Sequence, residues 1–96
     1  MQRKQRDVES GLRNKGFIDR EGDHTYFIYW SIAGKKSAVF TKTSHGAREL
    51  NDNLLALMAQ QCKLSKREFI NLIDCPLSRE EYEAKLISAK YIDAAT

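Results

Sequence analysis

The sequence predicts an α+β fold: a three-stranded antiparallel sheet with helices packed on one face. Three observations lead there. "TYFIYWSI" (25–32) and "SAVFTKT" (37–43) are dominated by aromatic, β-branched and small residues and flank the turn-forming "AGKK", which is the signature of a hairpin. The last third of the chain holds two capping boxes, Ser65–Glu68 and Ser78–Glu81, each opening an apolar helical repeat. Ninety-six residues with a single proline suit one domain with one core and no long linker.

Each element can be justified in order. Asp7 is positioned to cap a first helix that sets Val8 and Leu12 one turn apart on its inner face. "NKG" stops that helix, with Gly16 as the left-handed residue beyond its end. Phe17 and Ile18 begin a first strand, and "DREGDH" (19–24) reads as the turn after it. The hairpin follows. "SHGARELND" (44–52) is a polar connection, after which Asn51 or Asp52 caps a helix with Leu54, Met58 and Cys62 on one stripe. The third helix buries Phe69, Ile70 and Ile73, and "CPL" links it to a fourth with a weaker face of Tyr82, Leu86 and Ala89. The final residues are expected to fray. The order is α-β-β-β-α plus two C-terminal helices, and a sheet covered on one side leaves its other face open.

Composition narrows the functional classes. No apolar run approaches the roughly 18 residues of a membrane span, and no apolar stretch follows the basic start "MQRKQRDVES", so a cytoplasmic protein is expected. Cys62 and Cys75 belong to no CxxC pair and read as reduced structural thiols. No His or Cys cluster has ligand spacing, so neither a metal nor another cofactor is expected. Residues 1–48 hold ten Lys and Arg against five Asp and Glu, whereas residues 49–96 hold six against eight. A basic front half suits a polyanion such as nucleic acid, or is simply a solvated face.

The two histidines are the candidate chemistry. His24 ends the polar turn before the second strand. Histidine titrates at about pH 6.5 in model peptides, which suits proton transfer near neutrality. RNA brings its own nucleophile in the 2′-OH, so a base within reach can drive that oxygen onto the adjacent phosphate. A lone histidine after Gly22–Asp23 is, on residues alone, also an ordinary turn residue. Asp23 either orients an imidazole or bonds its own backbone, the second being the simpler role. His45 follows the third strand and is placed either to approach His24 or to sit apart in the loop.

In this order, with a Gly-x-His turn before the second strand, the chain resembles the HicA family of toxin–antitoxin ribonucleases. "DVESGLRNKGF" is similar to that family's first helix and its Gly-Phe exit, "GDHTYF" to its Gly-Ser-His-His turn, and "GKKSAVFTKTSHGARELNDNLL" to its basic hairpin, His-Gly connection and second helix. The resemblance covers residues 6–62. It implies a double-stranded-RNA-binding-like α-β-β-β-α core over 1–62, with 63–96 as a helical extension of the same domain. It also implies metal-independent cleavage of mRNA with His24 as general base, and silencing by a HicB-like antitoxin protein. Thr25 stands where the family usually carries a second histidine, which leaves His45 as the other candidate proton carrier or a phosphate contact.

Lys35, Lys36, Lys42 and Arg48 are candidate RNA-backbone contacts, offsetting charge on the phosphate; lysines at a hairpin tip equally keep a sheet edge soluble. Alternation groups Tyr26, Ile28 and Trp30 on one face of the second strand and Phe27 with Tyr29 on the other. One set packs under the helices and the other is free to stack bases. Two further functions fit the same elements: a non-catalytic RNA-binding module, and an interaction module docking through the C-terminal helices.

Overall fold

The first helix does not wait for Asp7. In the computed structural model, which describes residues 2–46 and 48–93, a two-residue strand β1 (Arg3–Lys4) leads directly into α1 (Gln5–Asn14), and Lys4 is the N-terminal capping residue without a side-chain bond of its own. The reason lies 45 residues away in the chain. β1 pairs antiparallel with β5 (Glu49–Leu50), and the Gln5 N–H donates to the Arg48 carbonyl at 3.0 Å. A neighbouring strand thus satisfies the N–H of the first helical residue, two positions ahead of Asp7. Asp7 instead sits inside the first turn, where its charge favours the helix dipole.

The main sheet joins β2 (Phe17–Glu21), β3 (Thr25–Trp30) and β4 (Lys36–Thr43), all antiparallel, in the order β2-β3-β4. β2 runs on to Glu21, which pairs with Thr25. The turn expected over 19–24 therefore contracts to Gly22, Asp23 and His24. β3 ends at Trp30, two residues before the end of "TYFIYWSI", because Ser31 closes the hairpin by donating its N–H to the Lys35 carbonyl. The register slips between Ile28–Phe40 and Trp30–Lys36. Ser37 fills that irregularity: its hydroxyl donates to the Tyr29 carbonyl at 2.6 Å and accepts from the Val39 N–H at 3.1 Å.

Four helices complete the α+β architecture, the last three being α2 (Asp52–Gln61), α3 (Lys66–Asp74) and α4 (Arg79–Ser88). Asn51 caps α2 by accepting the Leu54 N–H at 2.9 Å. The buried stripe of α2 is Leu55, Met58, Ala59 and Cys62, whereas Leu54 is exposed. A 54–58–62 repeat gains about 40° per step relative to a 3.6-residue turn, which carries Leu54 off the inner face. Both capping boxes form with reciprocal bonds. In the first, the Ser65 backbone N–H and then Lys85 hold the Glu68 carboxyl down at about 2. On α4, Tyr82 and Leu86 are buried but Ala89 is the exposed capping residue. The expected fraying of the last residues falls on 94–96, outside the described residues.

The helices cover the face of the sheet that carries Phe17, Phe27, Tyr29 and Val39, which form one core with Val8, Leu12, Leu55, Phe69, Leu72, Tyr82 and Leu86. α1 and α3 approach so closely that a Cβ on Gly11 would lie 2.9 Å from the Ile73 carbonyl oxygen. Lys15, at the end of α1, turns inward and donates to the Leu72 and Leu77 carbonyls at 2.7 and 2.6 Å, serving an orphan acceptor in the last turn of α3 and one in the linker that follows it. α4 is tied to the sheet by polar bonds as well as packing. Tyr82 stacks on Phe17 and donates its hydroxyl to the Cys62 carbonyl. Glu83 accepts from the Tyr29 hydroxyl and the Ile32 N–H. Arg79 donates to the Trp30 and Ser31 carbonyls and lies against Gly16, whose φ of 98° needs glycine. Among the described residues, no helix is long and apolar enough to cross a membrane.

Candidate nucleic-acid interface

Antiparallel connectivity decides what gathers at each end of the sheet. The β2–β3 turn and the exit of β4 share one end, since Glu21 pairs with Thr25 and Thr25 with Thr43. His24 and His45 therefore lie at the same end of the molecule. His24 is half-buried, stands edge-on to Tyr26 with ring centroids 6.3 Å apart, and lines a small recess of about 110 Å³ with Lys42, Thr43, Ser44, Leu54, Leu57 and Gln61 among its walls. Its intermediate burial leaves part of the imidazole in reach of a bound hydroxyl, which a proton acceptor requires.

The carboxylate of this region is Glu21, not Asp23. Asp23 is exposed in the turn. Glu21 accepts from the Thr25 hydroxyl at 3.1 Å, and its other oxygen lies 3.3 Å from His45 Nε2. Sequence reasoning missed Glu21 because it placed the residue inside a six-residue turn. A three-residue loop would have paired positions 21 and 25 and brought Glu21 into view.

The loop that carries His45 is anchored from beneath. Gln5 donates to the Ser44 carbonyl at 3.0 Å, and the Thr43 hydroxyl donates to Glu9 at 2.7 Å. Gln61 is held beside the recess by the Thr41 hydroxyl at 2.6 Å. These bonds run from α1 and α2, so both helices fix the geometry of the histidine end.

The four expected cations separate into three places. Lys42 lines the His24 recess. Arg48 is exposed and lines a different recess with Lys4, Arg6 and Glu49. Lys35 and Lys36 lie at the opposite end of β3, about 17 Å away at 3.3–3.4 Å per residue. Lys36 borders the open face of the sheet, where Arg20, Tyr26, Ile28 and Phe40 line a shallow groove of about 600 Å³. The question of which aromatic set is core is answered by burial: Phe27 and Tyr29 face the helices, and Tyr26, Ile28 and Trp30 face outward.

Cys62 is buried and Cys75 exposed, and both thiols are free. Burial pushes the Cys62 thiol well above its ordinary value. Among the described residues, no group of three or more His, Cys, Asp or Glu side chains is arranged to hold a metal ion. No protein-family model matches the chain, and comparison with curated proteins and with solved structures finds no match either.

Proposed function

We propose that this chain is a toxin-type endoribonuclease acting on mRNA from a double-stranded-RNA-binding-like frame. The observation that carries the reading is the half-buried His24 at a sheet end shared with Lys42, Glu21 and His45. His24 accepts the proton of a ribose 2′-OH. The freed oxygen forms a bond to the adjacent phosphorus while the bond to the 5′ oxygen breaks, leaving a 2′,3′-cyclic phosphate and a 5′-OH. The departing oxygen takes a proton from protonated His45 or from water. Lys42 offsets the charge that builds on the phosphate. This route uses no metal ion as a reagent.

Thr25 gives its hydroxyl to Glu21, and Glu21 faces His45. In this reading His45 supplies from the following loop the second imidazole that position 25 lacks. A HicB-like antitoxin then silences the enzyme by covering the His24 end. A second reading, an RNA-binding module without cleavage, draws on Lys4, Arg6 and Arg48, which gather around a recess that His24 does not line.

The deciding experiment is cleavage of single-stranded RNA in EDTA by the parent protein and by His24→Ala. A general base contributes about 10² to 10⁴ in rate, whereas a surface turn residue changes stability by within about 0.5 kcal/mol. His24→Ala should thus lose cleavage while unfolding at nearly the parental denaturant midpoint. Cleavage at the parental rate by His24→Ala, or parental activity only with added divalent metal, would overturn the mechanism.

A further inference from the structure

We propose that the open face of the sheet is a stacking platform for single-stranded RNA, with one base seated on Tyr26 and the next on Phe40; this rests on the ribonuclease reading, for which it defines the substrate as an unpaired strand.

The register arranges this face in rungs across the strands. One rung is Arg20–Tyr26–Lys42, the next Ile18–Ile28–Phe40, and the far one Trp30–Lys36. The central rings, Tyr26 and Phe40, sit with centroids 6.2 Å apart, tilted rather than packed face to face. Their faces are not used up on each other. Phe40 is 45% exposed and Ile18 51%, and the groove of about 600 Å³ runs over both rings. Large apolar groups left in water in the middle of a sheet call for an occupant.

Charge selects the occupant. Arg20 and Lys42 flank Tyr26 on either side in its own rung, and Lys36 stands opposite Trp30. The acid at the edge of the groove, Glu21, is engaged by Thr25 and His45. An aromatic centre with cations to either side matches a strand whose bases stack inward and whose phosphates run along the rim. A duplex offers no free base faces to the rings. The His24 and Tyr26 rings meet near a right angle with centroids 6.3 Å apart, so a nucleotide stacked on Tyr26 lies beside the proposed base. The platform thereby places a particular ribose, not merely a chain, next to the imidazole.

The test is fluorescence anisotropy with a short single-stranded RNA, 2′-O-methylated throughout so that it carries no nucleophile, and with the same sequence as a blunt duplex. The parent should prefer the single strand. Tyr26→Ala and Phe40→Ala should each weaken that binding by about tenfold or more, since stacking on one ring contributes about 1–3 kcal/mol per base. Tyr26→Phe should bind within about twofold of the parent, which separates a stacking role from a structural one. A Tyr26→Ala/Phe40→Ala protein with a parental circular dichroism spectrum and parental affinity would overturn the proposal. So would tighter binding of the duplex, or a dimer in sedimentation that Phe40→Ala dissociates, since a second copy would then occupy the face. The outcome is separable from that for catalysis: His24→Ala should bind the methylated strand as the parent does. If His24→Ala still cleaves while Tyr26→Ala fails to bind, the catalytic assignment falls and the platform stands.

Discussion

The two faces of the sheet are built from the same six residues of β3, yet they are different materials. On the covered face, Phe27 and Tyr29 are wholly removed from water, and the polar atom of Tyr29 is matched by Glu83. On the open face, Tyr26, Ile28 and Trp30 alternate with them and are only half covered. Composition does not separate the two sets. What separates them is whether a second layer supplies apolar contacts and hydrogen-bond partners. Aromatic side chains placed in water without such a layer contribute little to folding and remain available for a ligand.

The sharpest way to break this comparison is to truncate one ring from each face. Tyr82, stacked on Phe17 and edge-to-face with Tyr29, which also touch each other, completes the covered face. Tyr82→Ala should cost about 3–5 kcal/mol, the usual range for a large buried aromatic. Phe40→Ala, on the open face, should cost less than about 1 kcal/mol. Urea unfolding of both proteins checks this, and equal losses would mean that the two faces are equally structural.

A smaller effect sharpens the polar side of the contrast. Glu83→Ala leaves the Tyr29 hydroxyl and the Ile32 N–H without their acceptor, at about 1–3 kcal/mol for buried groups left unmade. The same site predicts an alkaline limit. Burial, and then the bond to Glu83, push the Tyr29 phenol up to about 12. Its neutral form is therefore favoured in the folded state. That contribution is complete below the unfolded value near pH 10 and is lost as pH rises from there towards 12. Urea midpoints should fall across that window, and a Tyr29→Phe protein should show a shallower fall. An identical profile in the two proteins would assign the alkaline loss to other groups.

The smallest expected effect concerns the hairpin tip. Lys35→Gln/Lys36→Gln should reduce the salt dependence of RNA binding by at most about 0.7 per lost contact. It should leave cleavage at saturating RNA unchanged, because the tip lies at the far end from His24. An unchanged slope would limit these lysines to keeping the edge soluble.

Much of this architecture was legible in the chain. Both capping boxes, the Gly16 stop and the alternation of β3 depend on residues within a few positions of one another, and all appear where the pattern places them. The miss at the start of the chain is non-local. The β1–β5 pairing moved the start of α1, and no two-residue strand carries a periodicity of its own. Leu54 satisfied a plausible stripe that the drift of the helix carried off the core. The choice of covered face in β3 was open because apolar residues fill both sides. Burial of Thr25, Thr41 and Thr43 on the helix side goes against the usual cue that hydroxyls face water. At the histidine end, simple connectivity places His24 and His45 together. Glu21 needed the true length of the turn.

Lys15 has a consequence for how the protein is made. Its ammonium group is satisfied by the carbonyls of Leu72 and Leu77, which follow it by 57 and 62 residues, and the ring pair Phe17–Tyr29 is completed by Tyr82, which packs on both. During synthesis the first helix and the three strands of the main sheet emerge from the ribosome before any of these partners does. At about 5–20 residues per second, the wait lasts on the order of seconds. Through that interval the emerging histidine end rests on an unfinished core, so the chain acquires its final geometry only once α4 has followed it.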